Sequence, residues 1–169
     1  MEEPMFYTRF DTPFCPVILA GDQTGLAHLH LDTGQGNRLF KIQPHWESNP
    51  GFFKEAQAQI LDYFQGNRLE FDIPISPAGT EFQRAVWEAL GRIPYGQLVS
   101  YGHIASELGK PKAARAVGAA NGKNPIPLII PCHRVVGANG SLTGFAHGTD
   151  IKARLIALEK HHSPNPPRD

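Results

Sequence analysis

A chain of 169 residues with 41% hydrophobic and 19% charged content is long enough for one generous domain or two small ones sharing a core surface, and its composition excludes global disorder. The longest apolar run, residues 126–131, is short and broken by prolines, and Met1-Glu2-Glu3-Pro4 lacks the positive start and apolar stretch of a secretory signal, so a cytoplasmic or nucleoid protein without a membrane span is expected. The zero net charge hides a division: residues 1–75 carry ten Asp and Glu against five Lys and Arg, whereas residues 76–169 carry six against eleven.

Between residues 5 and 45, apolar segments alternate with turn clusters. Residues 14–20 and 25–31 read as strands, the second with Leu29 and Leu31 alternating, and turns are expected at Gly21-Asp22 and over residues 32–37. Cys15 and Cys132 are the only cysteines. Two thiols in a non-secreted chain are expected reduced, and they are too few for a cysteine zinc cage. Eight histidines leave a mixed His and carboxylate site open, but no H-E-x-x-H or comparable spacing favours one, so no metal is expected. Residues 52–64 then read as a helix, with Phe53, Ala56, Ile60, Leu61 and Phe64 near one face and Gly66 as the stop. This half is expected to be a scaffold without chemistry of its own.

Residues 71–80, with two prolines and a glycine, predict an extended linker. The expected division is an N-terminal domain over 1–77, a C-terminal domain over 78–161 and a disordered tail over 162–169. Thr80 and Gln83 form a capping box that opens a helix burying Phe82, Val86, Ala89 and Leu90 and ending near Gly91. Ser100 caps a short helix over 101–108, Gly109 ends it, and Pro111 sits at the first turn of a second helix running to about Asn121. Helix, glycine-containing turn, helix is the helix-turn-helix pattern. The second helix is rich in Ala and Gly, which suits either a tightly packed core pair or a face that lets a groove approach, with Arg115 projecting. No acid lies between Glu107 and Asp150, while Lys110, Lys112, Arg115, Lys123 and Arg134 do, a basic stretch suited to phosphates. A last helix covers 150–160. The fold class is α+β: a small N-terminal sheet with one helix, then a mainly helical half containing the helix-turn-helix.

The chemistry is concentrated in Asn124-Pro125-Ile126-Pro127-Leu128-Ile129-Ile130-Pro131-Cys132-His133-Arg134. Three prolines within eight residues predict an extended path, with Leu128, Ile129 and Ile130 buried. Only the thiolate is nucleophilic, and an imidazole is the commonest means of lowering a thiol from its ordinary pKa of about 8.5. Neighbours on an extended chain point to opposite sides, so a bridging water or a bend is needed for His133 to serve Cys132. The imidazole also needs an orienting carboxylate, and Glu159 is the best placed by elimination. Alone, most Cys-His dipeptides are buried small hydrophobes without chemistry.

Context changes that reading. Pro131-Cys132-His133-Arg134-Val135, with Asn124-Pro125 upstream, resembles the active-site signature of the O6-alkylguanine-DNA alkyltransferases (methylated-DNA–protein-cysteine methyltransferases). Gly79-Thr80-x-Phe82-Gln83-x-x-Val86-Trp87, Ile93-Pro94-x-Gly96, Ser100-Tyr101, Ala113-Ala114-Arg115-Ala116-Val117-Gly118 and the terminal Leu158-Glu159 are similar to that family in order and spacing. Coverage is near continuous from 78 to 161, while the first half resembles the family only in its strand and turn layout. The resemblance implies that Cys132 accepts the alkyl group, with His133 as general base through a water, Glu159 holding it and Asn124 bracing the turn. It implies that Tyr101 donates to N3 of the leaving guanine, that the backbone at Phe145 and Ala146 stabilises O6, and that the carbonyls of Cys132 and Val135 read the exocyclic amine, with Pro127 and His147 also lining the pocket. It implies double-stranded DNA as partner, bound through the minor groove with the base flipped out, Arg115 filling the stack, and Lys112, Ala114, Lys123 and Tyr101 contacting the strand. The product thioether is stable, so one transfer per molecule, without cofactor, is implied, by a monomer whose cooperativity on DNA is left open.

Three departures stand out. Phe145 replaces a frequent tyrosine, His147-Gly148 replaces a frequent Gly-Gly and is expected to narrow the pocket, and Cys15 lacks the partner cysteine that a zinc site in some relatives uses. The alternative of a non-catalytic alkyl-lesion recognition protein is opposed by Cys132 itself. A transcription regulator is opposed by a second helix without an Asn, Gln and Arg array, and a papain-like hydrolase by the adjacency of Cys and His.

Overall fold

The computed structural model describes residues 5–142 and 145–164. Strands β1 (Phe6–Phe10), β2 (Val17–Asp22) and β3 (Gly25–Leu31) form an antiparallel meander, and the two-residue β4 (Glu47–Ser48) joins β1 in parallel, giving the order β3-β2-β1-β4. The strand expected over 14–20 starts three residues later. Pro16 has no N–H for a ladder, and the Thr12 hydroxyl accepts from the N–H groups of Phe14 and Cys15, both at 3.1 Å, holding them in a turn. Gly21 and Asp22 stay in β2, and the turn is the two-residue Gln23-Thr24. Strand β1 was not anticipated, although its aromatic and β-branched residues carry the signal.

The helix expected from residue 52 is α1 (Lys54–Phe64), preceded by a 3-10 turn over Pro50–Phe53. Asn49 caps that turn, its Oδ1 accepting from Phe52 N at 3.2 Å. Helix α1 buries Ala56, Gln59, Ile60, Tyr63 and Phe64. The linker docks rather than floating: Leu26 N donates to Pro74 O at 2.9 Å and Ser76 N to Leu26 O at 2.8 Å, covering the free edge of β3.

Helix α2 (Glu81–Leu90) opens on the expected capping box, with Gln83 N to Thr80 Oγ1 at 3.1 Å and Thr80 N to Gln83 Oε1 at 3.0 Å. Helices α3 (Tyr101–Glu107) and α4 (Ala114–Gly122) form the helix-turn-helix. Pro111 lies in the connecting turn instead of the first turn of α4, because Ala113 N bonds back to Lys110 O at 2.8 Å and delays the helix. Val117, Ala120 and Asn121 are the buried face of α4, while Arg115, Ala116 and Ala119 are exposed, so both readings of its small residues hold on opposite faces. Helix α5 (Thr149–His162) runs two residues past its expected end, so His162 is helical, and residues 165–169 of the expected tail lie outside the described residues. A two-stranded parallel pair, β5 (Val99–Ser100) with β6 (Val135–Val136), was too short for any periodicity to reveal.

One contiguous apolar core joins both halves, from Val17, Leu29, Ile60 and Tyr63 to Leu90, Ile104, Val117, Ile126 and Leu155. Among the described residues, no helix is long and apolar enough to cross a membrane.

Candidate active site

The chain before Cys132 folds into a closed turn instead of the expected extended path. Asn124 accepts from Ile126 N at 2.9 Å and donates through Nδ2 to Ile130 O at 2.8 Å, while Ile130 N donates to Ile126 O at 2.9 Å. Asn124 thus replaces the ladder partners that three prolines cannot offer. Leu128 is driven to φ +75°, a sparsely populated conformation for a side chain of its kind, and is held there by burial. Pro127 is buried inside this turn. Cys132–Arg134 then form a 3-10 turn instead of continuing extended, before β6 pairs with β5, the strand that leads into Tyr101.

Glu159 of α5 is the hub. Its carboxylate accepts from His133 Nε2 at 2.6 Å, Tyr63 Oη at 2.6 Å, Arg134 Nε at 2.8 Å, Arg134 Nη2 at 3.0 Å and Gly96 N at 3.1 Å. Arg134 also donates to Ile93 O at 2.7 Å. Burial alone would raise this carboxyl, but the hydrogen bonds from His133 and Arg134 and the Arg134 charge outweigh it and hold Glu159 well below the usual carboxylate range. Burial pushes the His133 imidazole below its ordinary value, against the pull of Glu159. An ionised carboxylate only accepts, so Nε2 carries the imidazole proton and Nδ1 keeps its lone pair. That Nδ1 is buried and has no hydrogen-bond partner among the described residues.

Cys132 itself is 4% exposed, and burial pushes its thiol up to about 11, against an Asn124 hydrogen bond and the charges of Lys152 and Arg38. The expected activated thiol is therefore a protonated thiol at rest. Lys152 of α5 is wholly buried, and its Nζ has no hydrogen-bond partner among the described residues; it stands 5.8 Å from the centre of the Phe145 ring. Asn121 Nδ2 reaches Cys132 O at 3.4 Å. Phe145 and His147 are buried beside this cluster, their rings 5.7 Å apart, with Ala146 half-buried between them. The His147 ring also lies 5.3 Å from His30 of β3, so it faces the N-terminal sheet. Val135 is fully buried in β6. Lys112, Arg115 and Lys123 are exposed on and beside α4, with Ala114 half-buried between them. Arg134 does not belong to that basic surface, because it is 7% exposed and bound to Glu159. Among the described residues, no group of three or more His, Cys, Asp or Glu side chains is placed to hold a metal ion.

Comparison with known proteins accounts for both halves. Residues 5–77 match the family described as the ribonuclease-like domain of 6-O-methylguanine DNA methyltransferase, and residues 81–161 match its DNA binding domain. The chain belongs to the 6-O-methylguanine DNA methyltransferase family. A methylated-DNA–protein-cysteine methyltransferase of Methanosarcina acetivorans is 49% identical over 155 residues, covering 92% of this chain and 98% of that one. A relative of the same name from Mycobacterium tuberculosis is 46% identical over 160 residues, covering 94% of each. The crystal structure of Mycobacterium tuberculosis OGT in complex with DNA superposes with a TM-score of 0.86 at 45% identity, covering 94% of this chain and 95% of that one.

Within this methyltransferase fold, Tyr63, Arg134, Asn121, Lys152 and Arg38 join the site without being singled out for it by the sequence. Arg134 stood inside the quoted signature, and its neighbourhood to a catalytic pair could have suggested an ion pair. Tyr63 and Arg38 sit in the first half, where no local pattern points to Cys132.

Proposed function

We propose that this methyltransferase-family chain performs direct-reversal DNA repair, moving the alkyl group from O6 of an alkylated guanine onto Cys132, once per molecule. The observation that carries the reading is the His133–Glu159 pair at 2.6 Å with the Nδ1 lone pair left unpartnered in the residue next to Cys132. His133 takes the thiol proton through a water, the sulfur attacks the alkyl carbon in line, the S–C bond forms and the C–O bond breaks, and guanine leaves with the bonding pair. Tyr101 donates to N3, and the backbone at Phe145 and Ala146 stabilises O6, so negative charge on the leaving base is met by fixed dipoles. The carbonyls of Cys132 and Val135 read the exocyclic amine. The balance needs no cofactor, and a thioether has no route back to a thiol, so each molecule acts once.

DNA is bound through its minor groove by the exposed face of α4, whose Ala and Gly residues permit close approach, and the damaged base is flipped at a cost of a few kcal/mol. Arg115 fills the vacated stack, and Lys112, Ala114 and Lys123 lie along the strands. Residues 1–77 act as the scaffold domain and residues 78–161 as the acceptor domain, in a monomer working in the cytoplasm. Mass spectrometry after incubation with an O6-methylguanine duplex tests this: one methyl on Cys132 per molecule is expected. Repair by Cys132→Ser at the parent's level overturns it, and DNA retention without adduct selects lesion recognition instead.

A further inference from the structure

Strand β3 and the segment after it reach the acceptor site at several separate points. Leu29 N donates to Pro125 O at 2.9 Å, in the turn that leads to Cys132. The Thr33 hydroxyl donates to His147 O at 2.6 Å, and Arg38 N donates to Ala146 O at 2.9 Å. Arg38 Nη1 donates to Gly122 O at 3.3 Å, at the C-terminal end of α4, and its charge acts on Cys132. The carbonyls of Ala146 and His147 are thus engaged by a segment more than a hundred residues away in the chain.

The contact is close on both sides. Gly36, at φ +78°, would place a Cβ 2.3 Å from Ala146 O and 2.6 Å from Gly148 N. Gly148, at φ +104°, would place one 2.9 Å from Gln35 Cβ. Gly34, two residues before Gly36 and with a similar φ of +70°, would meet nothing within 4 Å. The two glycines share the conformational demand and differ only in what they face.

We propose that residues 33–38 are a positioning strap that fixes the 145–148 wall of the alkyl-acceptor pocket relative to Cys132, with Thr33, Gly36 and Arg38 as its contact points. The N-terminal half then acts in the reaction without touching the transferred group, by setting where the O6-facing backbone stands. The inference rests on Cys132 as the acceptor. It also explains why the strap is polar and glycine-rich while the sheet behind it is apolar: it must offer donors and closely approach another backbone.

Single-turnover transfer from an O6-methylguanine duplex tests it, with the limiting rate at saturating DNA separated from the DNA concentration for half-saturation. Gly36→Ala is expected to lower the limiting rate at least about tenfold, since sub-ångström to ångström misplacement of a site wall costs up to about a hundredfold. Half-saturation and the final yield of about one methyl per molecule stay at the parent's values, which a folding defect would not allow. Gly34→Ala carries the same backbone cost and keeps the rate within about twofold, as an open-space glycine should. Thr33→Val removes a hydrogen bond without adding volume and is expected to slow transfer about threefold to tenfold. Equal rates for Gly36→Ala and Gly34→Ala overturn the proposal, and if Gly36→Ala does not fold, a Thr33→Val rate equal to the parent's overturns it. A parent that takes no methyl on Cys132 sinks the acceptor reading and this proposal together, whereas a parent that transfers normally confines any failure to the strap.

Discussion

His133 Nε2 lies 2.6 Å from Glu159 Oε2, and neither side chain is more than 2% exposed. The carboxylate is already saturated by Arg134, Tyr63 and Gly96, so its part toward His133 is to fix the tautomer that leaves the Nδ1 lone pair free, as the proposed base requires.

The pH dependence of transfer follows. The thiol is held up to about 11 by burial, so under the proposed mechanism the rate across neutral pH is expected to depend on neutral His133 and not on a standing thiolate. Burial holds His133 below its ordinary value, so its charging, and the loss of rate, falls on the acid side of about 6.5. A single-turnover profile is expected to be flat from about pH 7 to 9 and to fall below about 6.5. His133→Gln should be slower by about a hundredfold or more and should rise with pH as thiolate forms. A parent rate that climbs tenfold per unit between pH 7 and 9 contradicts this base.

Arg134 and Arg115 should separate cleanly. Arg115→Ala is expected to reduce the slope of log affinity against log salt by about 1, because the proposed docking loses one exposed cation from the DNA surface. Arg134→Ala should leave the slope unchanged and cost about 3–5 kcal/mol of stability, since it strips a buried carboxylate of two donors. Salt titrations and denaturant unfolding of the two variants check both halves.

This pair also marks how far the sequence could be read. Arg134 and Lys112 are equivalent in a charge count, yet one is locked on Glu159 and the other is exposed, because a count of charges carries no direction. Asn124 and Glu159 were legible, the first from a signature and the second because so few acids remained in that half. Tyr63 was not, since an amphipathic helix explains a buried tyrosine without naming the carboxylate it meets 96 residues later. The extended path through 124–131 failed for a local reason: prolines forbid an α-helix but tolerate a side-chain-braced turn. The capping box, which depends on neighbours in sequence, is found as expected, whereas several helix ends shift by two or three residues where a turn or packing intervenes.

Stability should fall steeply in acid. Burial lowers His147 to about 3, and His28 and His30 are also lowered by burial. A group depressed on folding binds its proton in the unfolded chain first, so these imidazoles reduce stability as pH drops below about 6.5, and His147 continues to do so down to about 3. His147 contributes up to about 1.4 kcal/mol per pH unit within its window. His147→Phe is expected to flatten the slope of unfolding free energy between pH 4 and 6 by about one proton. An unchanged slope would show that His147 charges as readily in the fold as outside it.

The same ring bears on substrate range. His147 fills space between His30 and Phe145 beside the acceptor wall, where a glycine would leave a gap. Methyl and ethyl adducts are expected to transfer well and benzyl adducts poorly, with His147→Gly raising the benzylguanine inactivation rate by about tenfold, the order that a few buried atoms are worth. Equal benzyl rates in parent and variant would remove His147 from the pocket.

Lys152 is expected to set stability against activity. A wholly buried amine without a hydrogen-bond partner among the described residues is costly to the fold, and burial lowers its pKa against the opposing influence of Cys132. Its positive charge is one of the few influences that favour the thiolate against burial. Lys152→Met keeps the length of the side chain and removes the charge. The variant is expected to gain about 1–2 kcal/mol in unfolding free energy, as buried polar groups replaced by apolar ones of similar shape commonly do. Its transfer rate should fall by up to about tenfold, because a cation that opposes the effect of burial on the thiol is gone. Denaturant unfolding and single-turnover transfer on the same preparation decide the matter: a variant both more stable and as fast as the parent would leave the buried cation without a role at Cys132, and one both less stable and slower would make it a structural group.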